Sequence, residues 1–344
     1  FRYKDRLEGP DMVDTALPGL GTADPSQGWR ELSACADGIH RAGENGVSRI
    51  LSTGDGKVEL IAWGDHTLAY VKSDMGYPAY YPLRPVNLKH PVKAVLMDLD
   101  GTTVRSESFW MWIIERSVAS VLGDEDFRLE AADLPYVSGH SVSEHLQYCL
   151  AKYAPAAALA RARAFYAEHT RREMQNILEG RGRRDAFTPA PGVGEFLRAL
   201  KERDIRIALV TSGLYAKAYP EIFSALQTLG LGKPEDFYDC IITAGESLGK
   251  GRAGTLGELE AKPHPWLYAE ACRVGLDIAP EDREQVVGIE DSGAGVCAIR
   301  LAGYYTVGIA GGNIRESGAG GMCHRYCGDF AEILQLIDGQ GAEE

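Results

Sequence analysis

The sequence predicts an α/β fold with a parallel, doubly wound sheet, an inserted α-helical segment and an extra N-terminal α+β domain. Strand and helix patterns alternate along residues 188–344, as they do when helices cover both faces of a parallel sheet. An apolar strand pattern within residues 91–107 is assigned to the same sheet, and only helical patterns follow along residues 108–187. Residues 1–90 fit neither pattern and are predicted to form the extra domain.

The core is predicted from short apolar strands and the helices between them. Such runs begin at Val95, Ile205, Cys240, Val286 and Tyr304. Core helices are predicted over Val193–Lys201, Trp266–Val274 and Asp329–Ile337. Asp329 would be an acidic N-cap. The inserted segment carries helical patterns over Phe109–Val121, Val142–Lys152 and Pro155–Leu178.

The N-terminal residues mix two kinds of pattern. We expect a helix over Gly28–Arg41 and three short strands between Ser48 and Ser73. Asp55-Gly56 and Gly64-Asp65 separate those strands and are typical of hairpin turns. Three prolines and three tyrosines over Tyr77–Pro85 suggest a linker. This domain could bind a partner, cover a site in the core or mediate a homodimer, and we expect the homodimer because it contains no cluster of acids, bases or ligands.

Composition excludes some classes of function. A formal charge of −13 over 344 residues argues against a nucleic-acid-binding protein. No apolar run approaches the length of a membrane span, so we expect no membrane partner. Seven cysteines, an odd number, are typical of reduced thiols and predict a cytoplasmic protein. Cys323 and Cys327 flank a histidine, but a matching second ligand pair is missing, so zinc is not expected.

A pair of aspartates at the end of the first core strand indicates phosphoryl transfer. Asp98 and Asp100 follow an apolar run and precede Gly101, which places both carboxylates at the carboxyl edge of the sheet. Two acids this close repel each other unless a divalent cation or a proton lies between them. We expect both, with one carboxylate attacking while the other carries a proton. The same pattern also occurs in calcium loops and plain turns.

Three further features follow in order. Thr211, Ser212 and Gly213 end a strand before a helical stretch, where a hydroxyl and free N–H groups can bind an anion, although an ordinary N-cap is the alternative. Lys262 lies in a stiff Lys-Pro-His-Pro turn ahead of a helix, although a lone lysine is usually only solvated. Glu290 and Asp291 end a buried strand and offer hard oxygen ligands of the kind that Mg²⁺ prefers.

With these four motifs in order, the chain resembles the haloacid dehalogenase superfamily over about residues 93–338. The resemblance is to the phosphatase and phosphomutase branch, subfamily I, which has a Rossmann-like core and a helical C1 cap inserted after the first motif. It implies that Asp98 is the nucleophile and Asp100 the general acid and base. Thr211 and Lys262 would hold the transferring phosphoryl group, together with Ser212 and Gly213. The implied magnesium ligands are the carboxylates of Asp98, Glu290 and Asp291 and the backbone carbonyl of Asp100.

Substrate choice is expected to lie in the cap. The turn Tyr136–His145 is either a specificity segment or an ordinary interhelical loop, and the resemblance favours His140 and Ser141 as substrate-binding residues. Sugar-phosphate mutases of this branch usually carry an arginine in this loop and a histidine after the first motif, where this chain has Val142 and Trp110. We therefore expect a Mg²⁺-dependent phosphatase acting on a small phosphorylated metabolite, with a sugar phosphate favoured. The alternatives are a phosphohexomutase like β-phosphoglucomutase and, third, an inactive scaffold.

Overall fold

A six-stranded parallel sheet forms the centre of the molecule. The computed structural model describes residues 16–22, 25–72, 78–133, 142–183, 185–244 and 260–340. The strands are, in chain order, β1 (Ala16–Leu17), β2 (Gly21–Thr22), β3 (Arg30–Leu32), β4 (Arg49–Ser52), β5 (Val58–Ala62), β6 (Thr67–Val71), β7 (Ala79–Pro82), β8 (Ala94–Asp98), β9 (Val104–Arg105), β10 (Thr188–Pro189), β11 (Arg206–Leu214), β12 (Cys240–Ala244), β13 (Val286–Glu290), β14 (Tyr305–Ile309) and β15 (Arg325–Cys327). The central sheet has the order β12-β11-β8-β13-β14-β15.

Helices cover both faces of this sheet. They are α1 (Glu107–Leu122), α2 (Val142–Tyr153), α3 (Leu159–Leu178), α4 (Val193–Glu202), α5 (Tyr215–Leu229), α6 (Pro234–Phe237), α7 (Trp266–Glu270), α8 (Gly293–Ala302) and α9 (Phe330–Ile337). Along β8, Val95 and Met97 pack into one apolar cluster, whereas Ala94 and Leu96 pack into another on the opposite face. Alternate side chains of a strand point to opposite faces, so the predicted doubly wound sheet is confirmed.

The predicted helical insertion is present between the first and second core strands. Helices α1, α2 and α3 pack around their own apolar cluster, which includes Ile114, Val118, Leu146 and Cys149. A two-stranded antiparallel ribbon of β9 and β10 lies where the insertion leaves and rejoins the core. Helix α3 begins at Leu159, later than the predicted Pro155. The predicted boundaries at residues 90, 107 and 187 stay predictions.

The N-terminal residues form a five-stranded antiparallel sheet with the order β3-β4-β5-β6-β7. The three strands expected between Ser48 and Ser73 correspond to β4, β5 and β6, and their two hairpins are confirmed. The predicted helix over Gly28–Arg41 is wrong. Residues 30–32 form β3, and the Asp37 carboxylate then accepts the N–H groups of Ile39 (2.7 Å) and His40 (3.0 Å), which makes a turn.

The predicted linker over Tyr77–Pro85 is also partly wrong. Residues 79–82 form β7, which pairs with β6 at the edge of the sheet. Pro82 is compatible with an edge strand because such a strand does not need every backbone N–H for pairing. The helix predicted over Trp266–Val274 is α7 followed by a π-helical turn over Ala271–Gly275.

None of the seven cysteines forms a disulfide bond. Among the described residues, no helix combines the length and the apolar character that crossing a bilayer requires.

Candidate active site

The four sequence motifs meet at the carboxyl edge of the central sheet. Asp98 is the last residue of β8, and β8 lies between β11 and β13. Asp98 pairs in register with Val210, and Met97 pairs with Ile289. Thr211 and Glu290 therefore lie on either side of Asp98. Parallel strands end at one edge, so this part of the site follows directly from the predicted topology.

Lys262 connects two of the motif carboxylates. Its Nζ donates to Asp98, to Glu290 Oε1 at 2.6 Å and to the Val210 carbonyl at 3.1 Å. The lysine side chain is 7% exposed. Burial lowers the pKa of Lys262, but the neighbouring Asp98 and Glu290 carboxylates outweigh burial and raise the pKa above its ordinary value. Lys262 therefore stays a cation and is not the solvated lysine of the alternative interpretation.

Glu290 is held at both carboxylate oxygens. Oε1 accepts from Lys262 and from the Tyr268 hydroxyl at 3.0 Å, whereas Oε2 accepts from the Ser292 N–H at 3.0 Å and hydroxyl at 2.9 Å. Ser292 is the N-cap of α8, and its hydroxyl also accepts the Gly295 N–H at 3.0 Å. A side chain at Gly295 would overlap the Glu290 carboxylate. Glycine is thus required where the helix passes against this buried acid.

Asp98 and Asp291 are buried acids whose charged forms are disfavoured. Burial, and then the charge of Glu290, raise the pKa of Asp98, while Lys262 opposes the shift. The same two causes raise the pKa of Asp291 to about 7, although the Thr102 hydroxyl donates to Asp291 at 3.1 Å. Three carboxylates therefore share a buried region in which, within the described part of the chain, Lys262 pairs with two of them.

This arrangement fits a divalent cation. One oxygen from each of Asp98, Glu290 and Asp291 lies within 4.8 Å of the others. Carboxylates are hard ligands that suit Mg²⁺, and a doubly charged ion would offset the repulsion that raises the pKa values of Asp98 and Asp291. The Asp100 carboxylate is not part of this group. Its Oδ1 accepts from the Ser106 hydroxyl at 2.5 Å, so the side chain of Asp100 is oriented for another role.

Asp100 is exposed and faces a polar group that the sequence analysis did not identify. Glu221 of α5 is buried, and burial followed by the charge of Asp100 raises the pKa of Glu221. Lys217, one turn earlier on α5, lies with Nζ 3.7 Å from the centre of the Trp110 ring. Trp110 is the residue that the sequence analysis compared with the histidine of mutases, and that equivalence stays a prediction. Lys217 and Glu221 lie on α5 and Trp110 lies on α1, so no local sequence pattern links them to Asp100.

The hydroxyl groups of the Thr211-Ser212-Gly213 segment accept backbone hydrogen bonds. Thr211 Oγ1 accepts the Gly213 N–H at 2.9 Å, and Ser212 Oγ accepts the Lys262 N–H at 3.2 Å. The N-cap of α5 is Leu214, and no side chain caps that helix. The N-cap interpretation of Thr211 and Ser212 is therefore wrong. The segment instead forms the carboxyl-terminal part of β11 next to the Lys262 turn, where a phosphoryl group could meet both.

The predicted substrate-binding residues His140 and Ser141 lie outside the described residues. Their assignment stays a prediction. Residues 142–145 were included both in the predicted turn and in the predicted helix over Val142–Lys152. They form the first turn of α2, so the helix is confirmed and the turn ends before Val142.

Metal-free protein should lose stability as the pH rises through about 7. The pKa of Asp291 is about 7 in the fold and 3.8 for the free side chain, so the folded state binds more protons than the unfolded state between these values. Stability contributed by this group is complete below pH 4 and is lost as the pH approaches 7. We expect Asp291→Asn to gain on the order of 2 kcal/mol relative to wild type between pH 5 and pH 8 in EDTA.

Urea unfolding of the two proteins at each pH measures this difference. The control is Asp37→Asn, because hydrogen bonds hold the pKa of Asp37 below its ordinary range and its removal should matter least at low pH. A constant difference between wild type and Asp291→Asn across the range would contradict a raised pKa. Added Mg²⁺ should flatten the dependence by favouring the charged carboxylates.

Comparisons with known proteins identify the family of the core. A family model described as haloacid dehalogenase-like hydrolase matches residues 92–303. β-Phosphoglucomutase of Bacillus subtilis (strain 168) is 28% identical over 233 residues, covering 64% of this chain and 84% of that protein. Validoxylamine A 7'-phosphate phosphatase of Streptomyces hygroscopicus subsp. limoneus is 28% identical over 229 residues, covering 63% of this chain and 85% of that protein.

A solved structure shows the same fold. The crystal structure of a predicted phosphoglycolate phosphatase from Haemophilus somnus 129pt superimposes with a TM-score of 0.54 at 20% identity, covering 72% of this chain and 98% of that one. The resemblance noted from the four motifs is confirmed. Because the family model matches more than half of its residues, the chain belongs to the haloacid dehalogenase-like hydrolase family.

Proposed function

We propose that this enzyme is a Mg²⁺-dependent phosphatase that hydrolyses a small phosphorylated metabolite, with sugar phosphates as the favoured class. The observation that carries the proposal is the buried pair of Asp98 and Lys262 beside the carboxylates of Glu290 and Asp291. A relative named as a phosphatase supports hydrolysis, and a relative named as a mutase supports a phosphorylated sugar. A cytoplasmic location and a homodimer stay predictions.

The proposed reaction has two displacements at phosphorus. In the first, an Asp98 oxygen bonds to phosphorus as the bond to the ester oxygen breaks, and Asp100 gives its proton to that leaving oxygen. In the second, water attacks the aspartyl-phosphate and transfers a proton to Asp100. The bond to Asp98 then breaks, which releases inorganic phosphate and restores both side chains.

The surrounding residues hold the reacting groups in place. Lys262 is close enough to Asp98 to offset negative charge on the transferring phosphoryl group, and Thr211 follows Val210, the residue of β11 that pairs with Asp98. Ser106 donates to Asp100 and orients its carboxyl group. When bound by Asp98, Glu290 and Asp291, Mg²⁺ would supply further charge neutralisation for phosphoryl transfer.

Mg²⁺ affinity should distinguish the role of Asp100 from that of Asp291. Asp100→Asn should lose activity but keep wild-type Mg²⁺ affinity, because its carboxylate lies outside the group that could hold a cation. Asp291→Ala should weaken Mg²⁺ binding and activity together, since it removes an anionic ligand. Calorimetric titration with Mg²⁺ measures the affinities. A large loss of affinity in Asp100→Asn would move Asp100 into the metal site.

Phosphatase and phosphohexomutase activities differ in whether water or a sugar hydroxyl attacks the aspartyl-phosphate. A mutase must exclude water and grip a second phosphate while the sugar reorients. Val142 stands near the position where mutases of this branch carry an arginine, which favours hydrolysis. Lys217 lies beside Trp110 and, when protonated, could partly replace such an arginine, although burial lowers its pKa, so the mutase stays the second candidate.

A substrate panel tests the proposed function. Phosphorylated sugars and small phosphorylated acids are assayed with Mg²⁺ for inorganic phosphate and, separately, for isomerised product. With a hexose 1-phosphate and a trace of the hexose bisphosphate, phosphate release should exceed formation of the 6-phosphate. If isomerisation is faster and depends on the bisphosphate, the proposed phosphatase function is wrong and the mutase function is supported.

A further inference from the structure

The N-terminal sheet packs directly on the catalytic core. Its inner side chains share one apolar cluster with α8 and the segment after β14, in which the main members are Leu51, Leu60, Ala69, Tyr81, Val296, Leu301 and Met322. The backbones also meet closely, because the Asp55 N–H donates to the Ser317 carbonyl at 2.9 Å. A side chain at Gly318 would overlap the backbones of Gly28 and Gly54. This face of the sheet is therefore part of the molecule's own interior.

One residue of the sheet makes a polar contact next to the candidate active site. The Tyr81 hydroxyl lies 2.7 Å from His264 Nδ1, although the two residues are 183 positions apart in the chain. Both are buried, with 8% of Tyr81 and 2% of His264 exposed. The Tyr81 ring also meets the rings of His264 and Trp266 edge to face, with centroids 5.8 and 6.0 Å apart. Tyr81 thus contacts the chain on both sides of Pro265.

The Tyr81 contact fixes the orientation of the His264 ring. Burial lowers the pKa of His264, which favours the neutral imidazole, and its Nδ1 shares a hydrogen bond with the tyrosine hydroxyl in which the tautomer sets the donor. The other ring nitrogen, Nε2, is buried and has no hydrogen-bond partner within the described part of the chain. A buried polar group is costly to leave without a hydrogen bond. Removing the Tyr81 hydroxyl would leave both ring nitrogens of His264 without a hydrogen-bond partner within the described residues.

His264 lies in the same tight turn as Lys262. The His264 N–H donates to the Ala261 carbonyl at 3.1 Å, and the Lys262 N–H donates to Ser212 Oγ at 3.2 Å. Pro263 and Pro265 flank His264 and restrict the backbone, since each proline fixes its own φ angle. A shift of the His264 ring is therefore passed to the backbone of Lys262, whose Nζ must stay between Asp98 and Glu290.

We propose that Tyr81 is a positioning residue for Lys262 and acts through its hydrogen bond to His264. The N-terminal sheet then braces the turn of residues 261–265, which means that it holds Lys262 in place through Tyr81 and His264. The catalytic part of this inference rests on the proposed phosphatase function, but the structural part does not. Phosphoryl transfer depends on placing charges accurately, so a small displacement of Lys262 should slow the chemical step more than it weakens substrate binding.

The test compares Tyr81→Phe with Tyr80→Phe in the full chain. Tyr80 is the neighbouring residue of β7, and its hydroxyl donates to Asp37 on the opposite face of the sheet, away from the core. With p-nitrophenyl phosphate and Mg²⁺, Tyr81→Phe should lower kcat about fivefold to twentyfold, as expected for loss of one buried hydrogen bond, with a smaller change in KM. Tyr80→Phe should stay within about twofold of wild type.

A double-mutant cycle separates positioning from general destabilisation. His264→Leu and Tyr81→Phe should each lower kcat, and the double variant should lose no more than the worse single variant, because both remove the same bond. If the fold-loss of kcat in the double variant equals the product of the two single fold-losses, the residues act independently and the proposal is overturned. So would a fall in kcat that simply follows the fall in Tm across all variants.

Hydrogen exchange provides a readout that does not depend on activity. Amide exchange in a peptide covering residues 260–268 should be faster in Tyr81→Phe than in wild type or Tyr80→Phe. If wild-type protein hydrolyses no phosphate ester, the proposed function fails, and this exchange difference still decides whether Tyr81 braces the turn. Unchanged exchange in Tyr81→Phe would overturn the brace.

Discussion

Replacing Asp98 by asparagine should reduce turnover to below about a hundredth of the wild-type rate while the fold survives. An amide is nearly the same size as a carboxylate, but it cannot attack phosphorus and supplies no anionic metal ligand. Lys262 keeps its bond to Glu290 in this variant, so the buried cation stays paired. Circular dichroism and thermal unfolding should therefore resemble those of wild type.

Two measurements check the role of Asp98. Steady-state rates are compared with those of Asp124→Asn, which changes an exposed aspartate in the inserted segment and should keep wild-type activity. Acid quenching during turnover should trap a phosphorylated enzyme in wild type and none in Asp98→Asn. A folded Asp98→Asn enzyme with more than about a hundredth of the wild-type rate would remove Asp98 from the nucleophile role.

Replacing Lys262 by methionine should cost both activity and stability. The change keeps much of the apolar stem but leaves Asp98 and Glu290 facing each other without their shared cation. Breaking a buried ion pair from one side costs about 3 to 5 kcal/mol. Loss of the charge that faces the transferring phosphoryl group should lower kcat by about a thousandfold.

The stability loss should depend on pH in a defined direction. Without Lys262 the carboxyl pKa values of the site rise further in the folded state, so the variant should regain stability as the pH falls from 8 to 5. Urea unfolding in EDTA measures this recovery. The control is Lys201→Met, which removes a partly exposed ion pair with Asp239 and should cost less than about 1 kcal/mol. Equal stability of Lys262→Met and wild type at pH 8 would mean that Lys262 does not neutralise the site.

The position of the N-terminal sheet changes how those residues are interpreted. A homodimer contact was the expectation because the sequence shows no chemical cluster there. The structure packs one face of the sheet against α8, whose N-terminus holds Glu290 through Ser292, and brings Tyr81 to His264, while the homodimer stays a prediction. A contribution of this sheet to the active site therefore does not need catalytic groups of its own.

Short-range patterns were sufficient to predict the parallel core, the helical insertion and the positions of Asp98, Thr211, Lys262 and Glu290. Each of these depends on a few consecutive residues: an apolar run ending in a polar group marks the end of a strand, and the prolines around Lys262 mark a turn. The helix over Gly28–Arg41 was predicted wrongly because the Asp37 carboxylate bonds nearby N–H groups and pairing with β4 stabilises a strand instead. Local propensity cannot outweigh such tertiary pairing.

The sequence by itself thus determined the family and the residues that could carry the chemistry. The tertiary structure decided how they are held: Lys262 between two carboxylates, Glu290 against Tyr268 and Ser292, and His264 against Tyr81. These partners are separated by up to 183 positions in the chain, so their meeting depends on how whole elements pack. Burial in turn sets the pKa values, because removing water disfavours the charged carboxylates that the lysine must then stabilise.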